Sequence, residues 1–241
     1  MLNRDARHHA LQQVGSDGQH KIAAGSALLI GAGGIGCAAA TYLAASGVGQ
    51  LLICDFDSVD ETNLARQVLY TPADVGELKA EVAAKHLRSL NPGVDIKAVA
   101  RRLQDDELYA AVRDCDVVLD GSDNFATRFA VNDACVRAQR RLISGAAIRL
   151  EGQLAVFGPD YTDAPCYRCL YVEADESLDS CAGNGVLSPI PAVIGTLMAV
   201  ETLKSLVGLG VDSNQLHLYD AVATEFRTVT IQKRQDCTAC S

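Results

Sequence analysis

The stretch that decides the fold is Leu28-Leu29-Ile30-Gly31-Ala32-Gly33-Gly34-Ile35-Gly36, in which a short apolar run ends in G-x-G-x-x-G. A helix-like segment follows at residues 37–46, and a second apolar run at 51–54 ends at Asp55. This order of strand, tight turn, helix, strand and acid predicts a βαβ unit of the kind that binds nucleotides. A merely structural Gly-rich turn is the alternative, and the motif alone does not say which nucleotide is bound.

Each glycine of the pattern has its own physical task. Gly31 permits the tight turn, Gly33 lets the backbone approach a phosphate, and Gly36 lets the helix pack closely on the strand. Free N–H groups and the helix dipole at the start of the helix favour an anion. Asp55 is placed to accept hydrogen bonds from ribose hydroxyls.

The composition excludes several classes of protein. A chain of 241 residues, 49% of them hydrophobic, is long enough to form one α/β domain with a sizeable core. The formal net charge of −9 argues against DNA or RNA as the main partner. The polar residues 1–21 lack the apolar segment of a signal peptide, and we expect no run of membrane-spanning length. Nine cysteines in such a chain indicate a reducing, cytoplasmic setting, with metal binding or catalysis rather than disulfides.

The hydrophobic periodicity predicts an α/β fold with a Rossmann-like, mostly parallel sheet and helices on both of its faces. Helices are predicted at 79–90, 105–113, 126–138 and 192–207, and strands at 95–101, 117–120, 142–148 and 151–157. Two further strands, at 216–222 and 225–233, are joined by a tight turn and are expected to be antiparallel. The helix at 192–207 is apolar nearly all round, so we expect it to be buried.

We expect a single domain over residues 1–241. Its parts are an N-terminal arm (1–24), a nucleotide-binding core (25–158), a long crossover loop (159–191) and a C-terminal part with a helix, strands and paired cysteines (192–241). The polar arm is interpreted as a solvated arm or helix, with His8 and His9 as surface residues. Pro189 and Pro191 together predict a shifted start for the last long helix.

Four cysteines form two C-x-x-C pairs, Cys166 with Cys169 and Cys237 with Cys240. Two residues between thiolates let both sulfurs reach one tetrahedral Zn²⁺, and two such pairs complete a closed site. We therefore predict a structural zinc knot that pins the chain end to a distant loop. Ordinary thiols and a redox pair are the alternatives, although neither pair is predicted to open a helix after a strand, as redox pairs do.

The remaining cysteines divide into two groups. Those in or beside predicted elements are interpreted as small core residues: Cys37, Cys54, Cys115 and Cys135. Cys181 lies instead in the long polar loop, where a thiol is open to attack. It is interpreted either as a catalytic nucleophile or as an ordinary loop thiol.

Taken together, the motifs resemble the MoeB/ThiF/HesA family, the prokaryotic relatives of the ubiquitin-activating E1 enzymes. The resemblance covers nearly the whole chain in one order, which makes it more specific than any single motif. Beyond the glycine pattern and the paired C-x-x-C, the matching residues are Asp55-x-Asp57, Asn63-Leu64-x-Arg66-Gln67, Gly76-x-x-Lys79, Asp123-Asn124, Ser144-Gly145-Ala146 and Tyr219-Asp220.

The resemblance implies an E1-like adenylyltransferase. Its substrate would be a small ubiquitin-fold sulfur-carrier protein ending in Gly-Gly, whose carboxylate attacks the α-phosphate of ATP to give an acyl-adenylate and pyrophosphate. The chemistry agrees, because an anion attacking an anion needs cationic groups and a metal near the phosphates. Hydride transfer in an oxidoreductase needs neither.

The resemblance also implies a role for each site residue. Asp55 would hold the ribose and Asp123 would coordinate Mg²⁺, while the phosphates would be held by Asn63, Arg66 and Lys79. The other residues implied to bind the nucleotide or line its pocket are Gly31, Gly33, Gly34, Gly36, Asp57, Gln67 and Asn124.

Three of these residues have a rival interpretation. Arg66 could form a surface ion pair with Asp60 or Glu61. Lys79 could be a solvated lysine in the first turn of a helix, although the helix dipole disfavours a cation there. Asp123 could simply cap the helix that follows it.

The resemblance further implies a homodimer in which an N-terminal arginine, matched here by Arg7, reaches into the neighbouring subunit's ATP site. The family usually has Arg-Tyr-x-Arg at this point, whereas this chain has Arg4-Asp5-Ala6-Arg7. Since the sequence ends at Ser241, directly after the last cysteine pair and without a rhodanese-like domain, we expect a separate sulfur-donor protein. A MoeB type serving molybdopterin, and a ThiF type serving thiamin or another thio-metabolite with Cys181 in sulfur transfer, both stay open.

Two other classes of function compete with this one. An NAD-dependent oxidoreductase would share the glycine turn and Asp55, but it leaves Arg66, Lys79 and Asp123 without a task. A non-catalytic nucleotide-bound scaffold that recognises a ubiquitin-like fold would bind its partner without turnover.

Overall fold

The computed structural model describes residues 4–172 and 185–241. The strands in these ranges are β1 Ser26–Ile30, β2 Gln50–Cys54, β3 Asp95–Val99, β4 Val117–Asp120, β5 Arg141–Ile148, β6 Glu151–Phe157, β7 Gln215–Asp220 and β8 Glu225–Thr230. They form one sheet in the order β3-β2-β1-β4-β5-β6-β7-β8. The strands from β3 to β5 in that order are parallel, and those from β5 to β8 are antiparallel. The mostly parallel sheet and the antiparallel C-terminal strands are confirmed, and the antiparallel pairing already begins between β5 and β6.

The helices cover both faces of this sheet. They are α1 Ala6–Ala10, α2 Gly15–Ala24, α3 Gly34–Ala45, α4 Lys79–Leu90, α5 Asp105–Arg113, α6 Phe125–Ala138, α7 Tyr167–Leu170 and α8 Pro189–Val207. Because side chains alternate along a strand, Leu29 packs into a core with α3, α4 and α8. Its neighbour Leu28 packs into a second core with α5 and α6. Burial on both faces explains why the parallel strands are continuous apolar runs in the sequence.

The glycine turn brings the start of α3 against the end of β1. Gly31 adopts a φ of +87°, a conformation that favours glycine. A Cβ at Gly36 would overlap the Gly31 carbonyl oxygen, so only glycine permits this close approach. Helix α3 begins at Gly34, three residues before the predicted start, because the turn itself forms its first residues.

Helix α8 begins at Pro189 instead of the predicted residue 192, and it runs to Val207. Proline is accepted in a first helical turn, where N–H groups have no helical partner, so the shifted start is confirmed. Within the described residues, α8 is long and apolar enough to cross a membrane by length and composition, which makes the expectation of no such run wrong. Its side chains Ile194 and Met198 are nevertheless buried in the core beside α3, as expected for a core helix.

The N-terminal segment is not a solvated arm throughout. Helix α2 buries Gln19 and Ile22, and the Gln19 amide donates a hydrogen bond to the Ser46 carbonyl oxygen at 3.0 Å. The Gln19 Oε1 atom lies 2.7 Å from Nδ1 of His8 on α1. The amide therefore ties both short helices to the core beside α3.

Candidate functional site

A cavity of about 600 Å³ opens where the parallel strands end, at their carboxyl edge. Open α/β sheets bind ligands at this edge. The cavity is lined by most of the residues that the sequence implied for nucleotide binding: Gly31, Gly33, Gly34, Asp55, Asp57, Arg66, Gln67, Lys79, Asp123 and Asn124. Residues from separate segments of the chain therefore meet at one place.

The structure does not place every residue implied for the site in the lining of this cavity. Gly36 acts in helix packing instead. The Asn63 amide donates to the Thr62 hydroxyl at 3.2 Å, and Asn63 does not line the cavity. Arg7 is exposed on α1 and does not line the cavity of its own chain. Cys181 lies outside the described residues.

Asp55 is fixed at the end of β2, beside the glycine turn. Its Oδ2 atom accepts a hydrogen bond from the Ala32 N–H at 2.7 Å, and its Oδ1 atom accepts one from the Asp57 N–H at 2.8 Å. Burial raises the pKa of Asp55 above its ordinary value, although these two hydrogen bonds oppose the rise. Each carboxylate oxygen keeps a lone pair with which it could accept a ribose hydroxyl.

Two cations line the cavity close to the glycine turn. Lys79 is only 5% exposed, and its Nζ lies 3.1 Å from the Asp57 carboxylate, so it is not a solvated surface lysine. Arg66 donates to the Thr62 carbonyl oxygen at 3.0 Å. Among the described residues Arg66 forms no ion pair with Asp60 or Glu61, which leaves its charge available to a phosphate.

Asp123 and Asn124 extend from the end of β4 into the cavity wall. The helix cap belongs to Asn124, whose Oδ1 accepts the Thr127 N–H at 2.9 Å. Asp123 therefore does not cap the helix, and its exposed carboxylate lies at the rim. One carboxylate beside a site for phosphates fits Mg²⁺, which commonly takes one or two carboxylates and completes its shell with phosphate and water.

Sequence reasoning missed the apolar residues of the cavity wall. Phe56, Leu103, Leu108 and Tyr171 line the cavity, and the Arg102 guanidinium lies 4.6 Å from the centre of the Phe56 ring. Aromatic and aliphatic side chains of this kind suit a purine ring. The only signal in the sequence was the position of Phe56 between two site acids, because the other residues reach the cavity through tertiary packing.

The four paired cysteines form a cluster. All their Sγ atoms lie within 4.8 Å of one another, and the two cross-pair distances, Cys166 to Cys237 and Cys169 to Cys240, are both 3.6 Å. A tetrahedral Zn²⁺ with Zn–S bonds of about 2.3 Å needs sulfurs about 3.8 Å apart. The cluster could therefore hold zinc with little adjustment. Cys166 precedes the one-turn helix α7, but residues 158–165 separate it from β6, so this pair does not open a helix directly after a strand.

Polar groups around the cluster favour thiolate ligands. The Lys233 ammonium donates to the Cys240 sulfur at 3.4 Å, and the Arg234 N–H donates to the Cys169 sulfur at 3.5 Å. Burial raises the pKa of Cys37 to about 12 and that of Cys54 to about 11, so these core thiols stay protonated. Burial also raises the pKa of Cys166 in the cluster, so the grouping of four sulfurs and the donors around them, and not the pKa values, distinguish the cluster from the core thiols.

The family model described as the ThiF family matches residues 6–239. The chain is 43% identical to the sulfur carrier protein adenylyltransferase of Thermus thermophilus, over 99% of this chain and 90% of that protein. It is 44% identical to the adenylyltransferase and sulfurtransferase MOCS3 of Bos taurus, over 99% of this chain but 53% of that protein. The chain belongs to the ThiF family.

Other relatives agree with this assignment. The SAMP-activating enzyme E1 of Haloferax volcanii is 40% identical over 99% of this chain and 88% of that protein. A crystal structure of Escherichia coli MccB matches with a TM-score of 0.85 at 24% identity, over 100% of this chain and 74% of MccB, which shows the shared fold. The protein is thus an enzyme of the adenylyltransferase class, as predicted, and an NAD-dependent oxidoreductase is left without support.

Proposed function

We propose that the enzyme adenylates the C-terminal Gly-Gly carboxylate of a small ubiquitin-fold sulfur-carrier protein, using ATP and releasing pyrophosphate. One observation carries the proposal: Arg66, Lys79 and Asp123 line the same cavity as the glycine turn. Attack by a carboxylate on a phosphate needs this concentration of cationic groups around a phosphate site. The name of the Thermus thermophilus relative supports a sulfur carrier as the acceptor.

Each residue has a physical task in this reaction. Asp55 holds the ribose, and the N–H groups at the start of α3 face the phosphates. Lys79 and Arg66 lower the repulsion between the incoming carboxylate and the α-phosphate, and they stabilise the charge that develops on pyrophosphate. Asp123 would hold Mg²⁺, which neutralises phosphate charge when bound. Zinc in the cysteine cluster would have no open position, so it would support structure and not catalysis.

The finer assignments belong to the same proposal. We favour a carrier of the molybdopterin-synthase type, with a thiamin-type carrier and sulfur transfer through Cys181 as the second candidate. We expect a homodimer in which Arg7 completes the partner's site, a separate sulfur-donor protein, and a cytoplasmic location. A panel of purified Gly-Gly-ended carriers would identify the pathway, because only the cognate carrier should promote turnover at low concentration.

The decisive test is ATP–pyrophosphate exchange. Wild-type protein should exchange label only when a Gly-Gly-ended carrier is present, and Asp123→Ala should lower the rate by about 100-fold or more because it removes the proposed Mg²⁺ ligand. Asp106→Ala is the matched control, since the Asp106 side chain is 94% exposed on α5. Cys181→Ala should keep full exchange. Absence of exchange with every carrier would exclude the proposed reaction.

A further inference from the structure

Helix α6 lies between the cavity and the cysteine cluster and contacts both. Its N-terminal end continues from Asp123 and Asn124 at the cavity. One face of the helix, at the spacing i, i+3, i+4, i+7 and i+8, holds the segment from Cys166 to Tyr171. The residues on that face are Phe125, Arg128, Phe129, Asn132 and Asp133.

At the cavity end, the peptide groups of Ser122 are held from two sides. The Ser122 N–H donates to the Asp120 carboxylate at 2.9 Å, and the Ser122 carbonyl oxygen accepts from the Arg128 guanidinium at 2.7 Å. Both holding side chains are buried, Asp120 at 1% and Arg128 at 6% exposure. Since Ser122 directly precedes Asp123, this clamp sets where the Asp123 backbone lies.

At the cluster end, contacts continue from the same guanidinium to a cysteine sulfur. Arg128 lies 3.3 Å from the hydroxyl of Tyr167, and the Tyr167 N–H donates to the Asn132 side-chain oxygen at 2.8 Å. The Asn132 amide in turn donates to the Cys166 sulfur at 3.7 Å. Tyr167 and Asn132 are both buried, at 2% and 0% exposure. A metal ion that holds Cys166 would therefore also fix the adjacent Tyr167.

We propose that Tyr167 and Arg128 are positioning residues through which the metal-loaded cysteine cluster holds Ser122 and Asp123 in place for the magnesium nucleotide. The inference rests on the proposed role of Asp123. One terminal nitrogen of the Arg128 guanidinium donates to the Ser122 carbonyl oxygen and the other donates to the Tyr167 hydroxyl, so a single planar group links the two. Because coupling between two binding sites is reciprocal, the magnesium nucleotide should in turn strengthen metal retention by the cluster.

Tyr167→Phe tests the cavity end, because it removes one hydroxyl and keeps the ring contacts with Phe129, Phe157 and Tyr171. Affinity for Mg·ATP should fall about 5- to 10-fold, while affinity for ATP in magnesium-free buffer should change by less than about 2-fold. Tyr161→Phe is the matched control. Tyr161 is also buried, but its hydroxyl donates to the Arg140 carbonyl oxygen at 2.8 Å, away from the cavity.

The cluster end is tested on the same zinc-loaded proteins by the rate at which zinc passes to a colorimetric chelator. Saturating Mg·ATP should slow zinc release about 5- to 10-fold in wild type and in Tyr161→Phe, but less than about 2-fold in Tyr167→Phe. Arg128→Lys should behave like Tyr167→Phe, because a lysine has no planar fork with which to hold both oxygens. Thermal unfolding of each variant confirms that it folds.

The outcomes separate this inference from the proposed function. If wild type binds Mg·ATP and Tyr167→Phe binds it equally well, the inference is wrong and the proposed adenylation stands. The inference would also be overturned if Mg·ATP did not change the rate of zinc release from wild type, or if the purified protein held no zinc. Failure of wild type to bind Mg·ATP at all would instead remove the proposed function, and the inference with it.

Discussion

Gly33 and Gly36 belong to one motif but are needed for different physical reasons. A Cβ at Gly36 would overlap the Gly31 carbonyl oxygen, whereas one at Gly33 would lie 3.7 Å from the Gln67 side chain, an ordinary contact. Gly36→Ala should therefore destabilise the fold by about 4 kcal/mol. Gly33→Ala should fold normally but bind ATP at least about 10-fold more weakly, because its methyl group occupies the place of a phosphate.

Thermal unfolding and ATP titration of both variants check this prediction. The two measurements should separate the variants, with the stability loss confined to Gly36→Ala. Equal melting temperatures for Gly36→Ala and wild type would mean that α3 does not pack against the turn as described.

Asp55 makes nucleotide affinity depend on pH. Burial raises the pKa of its carboxyl, so the charged form that accepts ribose hydroxyls is lost at a higher pH than for an exposed aspartate. ATP affinity should be full above that raised pKa and should fall as the pH is lowered through it. Asp55→Asn should bind weakly and show no such fall. Calorimetry between about pH 4.5 and 8 measures both proteins, and a parallel fall in both would assign the effect to another group.

Individual site residues were predictable to the extent that their positions follow strand ends. Asp55 comes directly after β2, and Asp123 lies three residues after the end of β4, so the carboxyl edge of the sheet brings both to one cavity. Arg128 was not predictable as a positioning residue. A helix residue that faces the core usually packs against apolar side chains and does not link two polar groups. Tyr171 was missed for a related reason, since only the contact of its segment with α6 brings its ring to the cavity.

At the scale of elements, the cysteine cluster joins α7 to the chain end. If it holds zinc, Cys169→Ser should lose the metal and lower the melting temperature by on the order of 10 °C, because metal binding contributes directly to folding. Cys115→Ser is the matched control. Cys115 is a buried thiol outside the cluster that donates to the Val112 carbonyl oxygen at 3.2 Å, a bond that serine can keep.

Metal content and calorimetric melting of the purified variants give the result. Zinc retained in Cys169→Ser, with an unchanged melting temperature, would contradict a structural metal at this cluster. Loss of zinc from Cys115→Ser would contradict the assignment of ligands.

The types of the helices and strands were predictable, because the hydrophobic periodicity of each segment agrees with the burial of its side chains. The residues at which these elements begin and end were not predictable. Helix α8 begins three residues early because prolines in a first turn cost no hydrogen bond. Strand β8 ends at Thr230, short of the predicted residue 233, because Thr230 pairs with Gln215, the first residue of its partner β7. Both differences arise from local hydrogen bonding that a hydrophobic pattern does not record.

At the scale of the whole molecule, Arg7 raises the question of assembly. It is exposed on α1, and that helix contacts α2 instead of the cavity of its own chain. No pattern in a single chain could predict where such a side chain acts, because its target would lie on another copy. The proposed homodimer gives Arg7 a task, which is to supply a third cation to the partner's phosphates.

Mixing two inactive variants tests this arrangement. Arg7→Ala and Asp123→Ala should each lack exchange activity, but an equal mixture after subunit exchange should recover about a quarter of wild-type activity. Half of the dimers would be mixed, and one site in each would combine an intact Asp123 with the Arg7 of the other chain. A mixture of Lys79→Met and Asp123→Ala is the control and should stay inactive, because every site keeps one defect. If native mass spectrometry shows mixed dimers but neither mixture recovers exchange activity, Arg7 does not act across the interface.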